Sequence, residues 1–348
     1  MENRALKQWL YCLCPIVLGV PMVALAQESR PEVGEAPEGG EPEVAVFEQR
    51  GLLTPQGRWV LEPSLSYVHS SALEVSIEGF TIIPALAIGL IDVSETERDT
   101  LTAAVAARYG VTDRFEVALK VPYVYREQRV RRRDILVDTE MARISGSDGY
   151  GLGDVEFSMH YQINTADRGG PFYIANLKVK TRTGKDPFEV DRRDVVDEDG
   201  NRIGELFDEQ PTGSGFWGVQ PSITMIYPTD PAVIYGNISY LWNVERDVGS
   251  GFGRVDPGDA IGASLGMGIS LNNRTSMSLG YDHSVVQRTR TERDSGLDAV
   301  FSRRQVGTLL WGVSHRVSQR STLNLSVGMG VTEAAPDVQI SLRMPMRF

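Results

Sequence analysis

The chain has very little cysteine: among 348 residues the only two are Cys12 and Cys14, both in the first twenty-six. Without them, no disulfide framework holds the remainder together. Basic charge is also short. The 35 Lys and Arg stand against 46 Asp and Glu, a formal charge of -11, which speaks against a nucleic-acid binder. Apolar runs long enough for a membrane-spanning helix are missing after position 26, and a mean hydropathy of -0.19 excludes a polytopic helical membrane protein. What the chain does have is 41% hydrophobic residues, too many for a disordered polymer. Two classes fit: a soluble β-rich protein, or a barrel whose apolar residues are spread too thinly to read as helical spans.

The beginning reads as targeting. Arg4 and Lys7 precede an apolar run from Trp9 to Ala26 that closes on Ala24-Leu25-Ala26. A basic start, an apolar core and a small-x-small exit describe a secretory signal peptide over residues 1–26. An uncleaved anchor helix is the alternative, against which Pro15 and Pro21 break the run. Tyr11 and Leu13 stand just before the cysteines where a lipidation site wants a small residue. Residues 27–56 carry Glu28, Glu32, Glu35, Glu38, Glu41, Glu43 and Glu48 among prolines and glycines, the composition of an acidic flexible linker.

From Gly57 the apolar period is two. Trp59, Leu61, Leu65 and Tyr67 fall on one face, with Glu62, Ser64 and Ser66 on the other. Phe115 to Tyr125 repeats this at odd numbers, as do Val155 to Tyr161 and Ile261 to Leu271. Such alternation marks strands, each long enough to cross a bilayer when tilted. The connections alternate in length as well. Val111-Thr112-Asp113, Pro228-Thr229-Asp230, Asn272-Asn273 and Ser318-Gln319-Arg320 are tight, whereas 127–152, 185–213, 247–257 and 289–303 are long and polar. Short turns at one end and long loops at the other are what an outer-membrane barrel needs.

The fold class predicted is therefore all-β, a transmembrane antiparallel up-and-down barrel spanning 57–348 in the bacterial outer membrane, with short periplasmic turns and long extracellular loops. Strands are expected near 57–69, 100–111, 114–126, 153–164, 171–184, 214–227, 231–246, 258–271, 274–288, 304–317, 321–331 and 336–348, which makes twelve; fourteen is the alternative. The apolar segment 77–94 would invert every later turn if it spanned once more, so it is assigned to an external hairpin or a mouth segment. Pro63, Pro122, Pro221 and Pro345 fall inside predicted strands and are expected at irregularities, since a closed barrel has no free edge. The last strand alternates through to Phe348, an ending suited to recognition by the barrel assembly machinery.

Candidate functional residues come from the polar face. Arg108, Lys120, Lys178, Lys180, Arg182, Arg316, Arg343 and Arg347 fall on inward positions, with Glu62, Glu116, Glu156 and His160. Two readings are open: a field favouring anionic solutes, or an ion-pair ladder that braces the wall. Arg126, Arg129, Arg131, Arg132 and Arg133 form a basic cluster assigned to the extracellular rim, where arginine suits the phosphates of lipopolysaccharide. The acidic loop 185–213 contains Asp197-Glu198-Asp199-Gly200-Asn201 but lacks the ligand spacing of a calcium loop, so no metal or cofactor is expected. Ser158 and His160 share a face without a third group or an oxyanion site, and no phosphate loop or nucleophile elbow is present, so no enzyme is expected.

Three stretches carry a family resemblance: Gly51-Leu52-Leu53-Thr54-Pro55-Gln56-Gly57-Arg58-Trp59-Val60-Leu61-Glu62-Pro63-Ser64-Leu65-Ser66-Tyr67, Arg108-Tyr109-Gly110-Val111-Thr112-Asp113-Arg114-Phe115-Glu116 and Gly151-Leu152-Gly153-Asp154-Val155. They resemble the outer-membrane barrel family labelled "putative MetA-pathway of phenol degradation". The resemblance covers roughly residue 51 to the end, with its specific motifs in the first half. It implies an outer-membrane channel or transporter, with aromatic compounds among the candidate solutes and no catalytic residues to carry over. The function expected is passive passage of small solutes, anionic or aromatic, by a protein whose partners are outer-membrane lipid, lipopolysaccharide and its permeant. A homo-oligomer is compatible with this. The alternatives are a secretion pore gated by the acidic linker, and a barrel enzyme.

Overall fold

The computed structural model describes residues 53–83, 86–134, 143–165, 169–196, 202–249, 253–292, 299–300 and 303–348. The signal peptide and nearly all of the acidic linker lie outside these residues. Three long strands open the fold: β1 (Trp59–Ile83), β2 (Leu86–Thr112) and β3 (Phe115–Asp134). β4 (Arg143–Leu152) and β5 (Glu156–Gln162) follow, then β6 (Phe172–Lys180) and a loop hairpin of β7 (Arg192–Val196) and β8 (Arg202–Phe207). β9 (Gly218–Pro228) and β10 (Ala232–Asn243) form the next pair. After β11 (Arg246–Asp247) and β12 (Arg254–Asp256) come β13 (Ala260–Ser270) and β14 (Thr275–Val286). β15 (Arg290–Glu292) and β16 (Ala299–Val300) precede β17 (Arg304–Arg316), β18 (Thr322–Gly330), β19 (Val338–Arg343) and β20 (Met346–Arg347).

One sheet of fourteen pieces closes on itself through β1, which pairs with β2 on one side and with β19 and β20 on the other. β4 and β5 both pair with β3 and are halves of one stave, as β19 and β20 are of another, so the fourteen pieces make twelve staves. Every ladder is antiparallel. The order around the cylinder is β1, β2, β3, β4/β5, β6, β9, β10, β13, β14, β17, β18 and β19/β20. Closure leaves the sheet without a free edge, which is the condition for strand backbone to exist in hydrocarbon.

The exterior is apolar. Leu65, Phe157, Ile223, Ile238, Leu265, Leu279 and Leu309 stand open on the outer face, Ile238 at 68% exposure. An uninterrupted belt of this kind is explained by lipid, not by water. Aromatic residues concentrate toward both of its edges. Trp59, Tyr161, Tyr173, Tyr227 and Phe348 lie toward the turn end, and Tyr123, Tyr150, Trp217, Tyr240 and Trp242 toward the loop end. These girdles are where amphipathic rings meet a membrane interface. Loop lengths segregate between the ends: β2–β3, β9–β10, β13–β14 and β17–β18 are joined by tight turns, and the long connections all lie opposite.

The in-strand prolines sit at breaks. Pro122 marks where β3 passes from β5 to β4, its carbonyl accepting from Gly153 N. Pro63 faces the gap between β19 and β20, where Met344 N donates to it, and Pro345 occupies that gap. Beside Pro221 the β9–β10 ladder skips from Ser239↔Ser222 to Trp242↔Val219. Each missing donor thus falls where a ladder is already interrupted. β1 leaves β19 at His69↔Val338 but stays paired with β2 as far as Ile83↔Leu86, so the described backbone of 77–94 is a continuation of that hairpin.

Candidate permeation lumen

Parity fixes the inner face. With Leu119, Val121 and Tyr123 facing out, Glu116, Ala118, Lys120, Val124 and Arg126 face in. The turn-end mouth holds the first ionic group. Glu62 accepts from Arg108 Nη2 at 2.5 Å and lies 3.9 Å from Arg343 Nη1, joining staves β1, β2 and β19. Glu116 is buried, and its carboxylate accepts from the backbone N–H of Thr54 at 2.7 Å, so the segment before β1 is tied to the lumen wall. Halfway up, the register sets Lys120 beside Glu156 and Glu156 beside Lys180, one acid between two lysines. Lys178 follows one inward row away, opposite Ser158 and Gln220.

A neutral polar belt adjoins this group. His160 Nδ1 and Asn176 Oδ1 are 2.8 Å apart, and Asn176 Nδ2 donates to Thr224 Oγ1 at 2.9 Å and Ser222 Oγ at 3.2 Å. Asn237 Nδ2 donates to the same Thr224 hydroxyl at 2.8 Å. The belt crosses four staves and braces them. His160 is thereby engaged in the wall, with Ser158 one inward row away.

The remaining staves are built differently. Along one inward row the register runs Ile226, Tyr235, Gly266, Gly280, Leu310 and Gly328. Tyr235 lies flat across the first two glycines: a Cβ on Gly266 would sit 2.3 Å from its ring, and one on Gly280 3.0 Å from its hydroxyl. Leu310 covers Gly328 in the same way, at 3.3 Å. A Cβ on Gly268 would meet only a backbone oxygen at 3.8 Å, leaving free space toward the lumen.

At the loop end, the β6–β9 connection folds inward. Gly149 is an inward position of β4, and a Cβ there would lie 2.1 Å from Gln210 O; only glycine admits the connection at this distance. Gln210 Nε2 donates to Ser147 Oγ at 2.7 Å, and Arg126 Nη1 donates to Pro211 O at 2.8 Å. Asp154 accepts from Gly184 N, Ser214 N and Ser214 Oγ. Asp186, 1% exposed, accepts from Phe188 N and Glu189 N and pairs with Arg246 at 2.6 Å. Residues 208–216 form a strap held inside the outer mouth.

The expected site residues distribute as follows. Arg108, Glu116, Lys120, Glu156, His160, Lys178, Lys180, Arg343 and Arg347 occupy inward positions. Arg182 lies past the end of β6 and Arg316 ends β17; both are exposed, so they stand at the two rims instead of along the wall. Arg126 corrects the sequence reading. It is not a rim residue but a buried inward one at 3% exposure, beneath the strap. Arg129 is exposed and pairs with Glu127 at 2.6 Å; that hydrogen bond and charge, aided by Asp99 and Glu97, hold its guanidinium above the ordinary value. The backbone sets Arg131 opposite Glu95 and Arg132 and Arg133 opposite Ser94 and Val93; their side chains lie outside the description. Phe348 is exposed at the turn end, its N–H donated to Trp59 O. The Asp197–Asn201 fragment is outside the described residues, among which no acidic or histidine group of three could hold a metal. Sequence reasoning missed Arg126, Asp154, Asp186, Gln210 and Arg246. For Arg126 and for the glycines at 149, 151 and 153, even or odd parity continued from the flanking strand was the available signal.

The family described as "Putative MetA-pathway of phenol degradation" matches residues 204–348. This supports the resemblance, though on the half opposite to the motifs that carried it. Among solved structures, the chain is similar to the COG4313 outer membrane channel from Pseudomonas putida F1, with 14% identity, 87% of this chain and 100% of that chain covered, and a TM-score of 0.50. It is more distantly similar to the toluene transporter TodX of P. putida, with 10% identity, 84% and 89% covered, and a TM-score of 0.38. The transport unit of the autotransporter AIDA-I from Escherichia coli gives 10%, 87% and 93%, and 0.42. The fold is that of a bacterial outer-membrane barrel, and the lipid-facing belt is the physical reason for that location.

Proposed function

We propose that this chain is a passive outer-membrane channel for small solutes, anionic or aromatic. The observation that carries the reading is the inner face: twelve staves close around an interior whose inward positions from β19 to β6 are mostly charged, polar or small, while the exposed apolar side chains of the outer belt point away. Twelve staves leave more room than the side-chain-filled eight-stranded barrel and less than a sixteen-stranded porin. The inward Lys120, Lys178 and Lys180 support anions. The family description, with its reference to phenol, supports aromatic compounds. His160 serves the wall through Asn176, so this reading assigns no catalytic step. Phe348 is the natural contact for the assembly machinery, and the rim arginines around Arg129 the natural contact for lipopolysaccharide phosphates.

Planar-bilayer recording of the refolded, signal-cleaved protein tests the reading. Discrete conductance steps are expected, with a reversal potential displaced toward that of the anion under a salt gradient. A refolded, heat-modifiable barrel that carries no current and produces no liposome swelling with any small solute defeats it.

A further inference from the structure

One arc of the turn end is basic. In ring order, β14, β17, β18, β19/β20, β1, β2 and β3 are consecutive staves. Along their turn-end margin stand Arg274, Arg316, Arg320, Arg347, Arg58 and Arg114. Arg316 and Arg347 close inward rows of β17 and β20, and the other four sit in the turns just before β14, β18, β1 and β3. Backbone hydrogen bonds set them side by side. Arg316 N donates to Arg274 O at 2.7 Å, Arg347 N to Arg320 O at 2.9 Å, and Phe348 N to Trp59 O, next to Arg58, at 2.9 Å. The rest of the margin differs. Among the described residues, the β5–β6 and β9–β10 connections hold no Lys or Arg, and Asp230 is their charge.

Like charges on neighbouring strands are destabilising, and no described acid offsets these. Arg58, Arg114, Arg274, Arg316 and Arg320 are exposed, and among the described residues no carboxylate lies within ion-pair distance of any of them. Asp113, beside Arg114 in the chain, accepts from Gln56 N instead. The polypeptide itself brings carboxylates to this margin. Thr54, 5% exposed, donates its N–H to inward Glu116, and a Cβ on inward Gly110 would lie 2.3 Å from Thr54 O. The chain therefore meets β1 from the inner side of this same mouth. Residues 33–52 hold Glu35, Glu38, Glu41, Glu43 and Glu48 against a single base, Arg50. Glu48 stands six residues before Thr54, a reach of up to about 20 Å. With staves about 5 Å apart, that spans three or four of the arc. A tether gives an effective concentration of about a millimolar, at which exposed ion pairs, weak one by one, suffice together.

We propose that the arginine arc is a docking surface for this chain's own acidic segment, residues 33–52, whose glutamates neutralise it at the periplasmic mouth. The inference needs the closed barrel and not the channel reading above. Lipid phosphates are a poorer fit, because Arg316 and Arg347 lie on inward rows and not on the lipid face. A dissolved anion has the same charge but no tether.

From residue 27 onward the chain has no cysteine, so Ala45→Cys gives one attachment point for a nitroxide and leaves every glutamate in place. The spin-label spectrum of the full mature chain in zwitterionic liposomes tests the proposal. At about 0.1 M salt the label is expected to be held, and at about 1 M, where the screening length shrinks to about 3 Å, to tumble freely. The triple variant Arg274→Gln/Arg316→Gln/Arg320→Gln should lower the docking constant about tenfold, which three exposed ion pairs supply together. The fast component should then dominate at the lower salt. Lys at the same three positions should retain the slow component, because charge carries the contact. Changing Glu35, Glu38, Glu41, Glu43 and Glu48 together to Gln should free the label as the arginine changes do. Heat-modifiable migration certifies that each variant is a closed barrel. A label that tumbles freely in the otherwise unaltered chain at the lower salt would overturn the proposal. So would one that stays slow in the triple Gln variant, since the segment would then be held elsewhere. Neither result depends on current through the barrel, so failure of the channel reading would show separately.

Discussion

The two halves of the lumen solve the same packing problem with opposite chemistry. On the β19-to-β6 side, inward positions are long and charged, and the wall is stiffened by contacts such as Glu62 with Arg108 and Arg343. On the β9-to-β18 side, inward positions are mostly small, and stiffness comes from Tyr235 and Leu310 laid over glycines. Ion pairs in a partly wet lumen are individually weak, and their strength depends on salt. Steric fit of Tyr235 into Gly266 and Gly280 does not depend on salt but tolerates no added atom. The first half can therefore exchange charges and keep its shape, while the second holds its shape only while its glycines remain.

The largest expected effect breaks the second half. Gly266→Val would place Cβ 2.3 Å from the Tyr235 ring, and the ladder holds the backbone in place, so the buried ring must be displaced. Overpacking of this kind should cost about 3 kcal/mol, read as loss of the heat-modifiable form at lower urea. Adding Tyr235→Ala should recover most of the loss; if it does not, the glycine is needed for something other than seating the tyrosine. Next comes the strap at the outer mouth. Asp186→Ala removes an acceptor for two backbone N–H groups and leaves Arg246 without its carboxylate. Because Arg246 is partly exposed, the local cost should be about 2 kcal/mol, below the usual range for a fully buried pair. Single-channel conductance should rise as the strap loosens, with global unfolding little changed.

Much of this organisation is legible in the sequence once strand parity is followed. Alternation from Trp59 to Tyr67 and from Phe115 to Tyr125 gives the faces, the tight turns give the staves, and each in-strand proline marks a ladder break. Parity also points Arg126 inward, since 116, 118, 120 and 124 already face that way. Assigning it to the rim confuses distance along the chain with direction. The strap was not readable, because Gln210 reaches Ser147 and Gly149 across about sixty residues and no local pattern encodes that meeting. The two unequal halves of the wall lay between these cases. Their residues were visible one by one, but the segregation emerges only when the staves are set in a ring.

Smaller changes sharpen the charged half. Glu62→Gln removes the carboxylate charge shared by Arg108 and Arg343. Stability should fall by about 1.5 kcal/mol, the value of a charge-assisted hydrogen bond, while preference for anions over cations rises. The reversal potential under a salt gradient reads the second effect independently of the first. A preference that falls would mean that Glu62 is not exposed to permeating ions.

The smallest effect should come from His160→Ala, at the end of the polar belt that crosses from one half to the other. Its hydrogen bond to Asn176 is one link in a belt, and Asn176 keeps its donations to Thr224 and Ser222 without it. The loss should be about 0.5–1 kcal/mol, the net value of one intramolecular hydrogen bond. Selectivity between anions and cations should stay unchanged, because the imidazole is engaged with Asn176 in the wall. If His160→Ala instead shifts the reversal potential under a salt gradient, the ring is in contact with permeating ions. The lining that solutes touch would then extend one row deeper than the lysines define it.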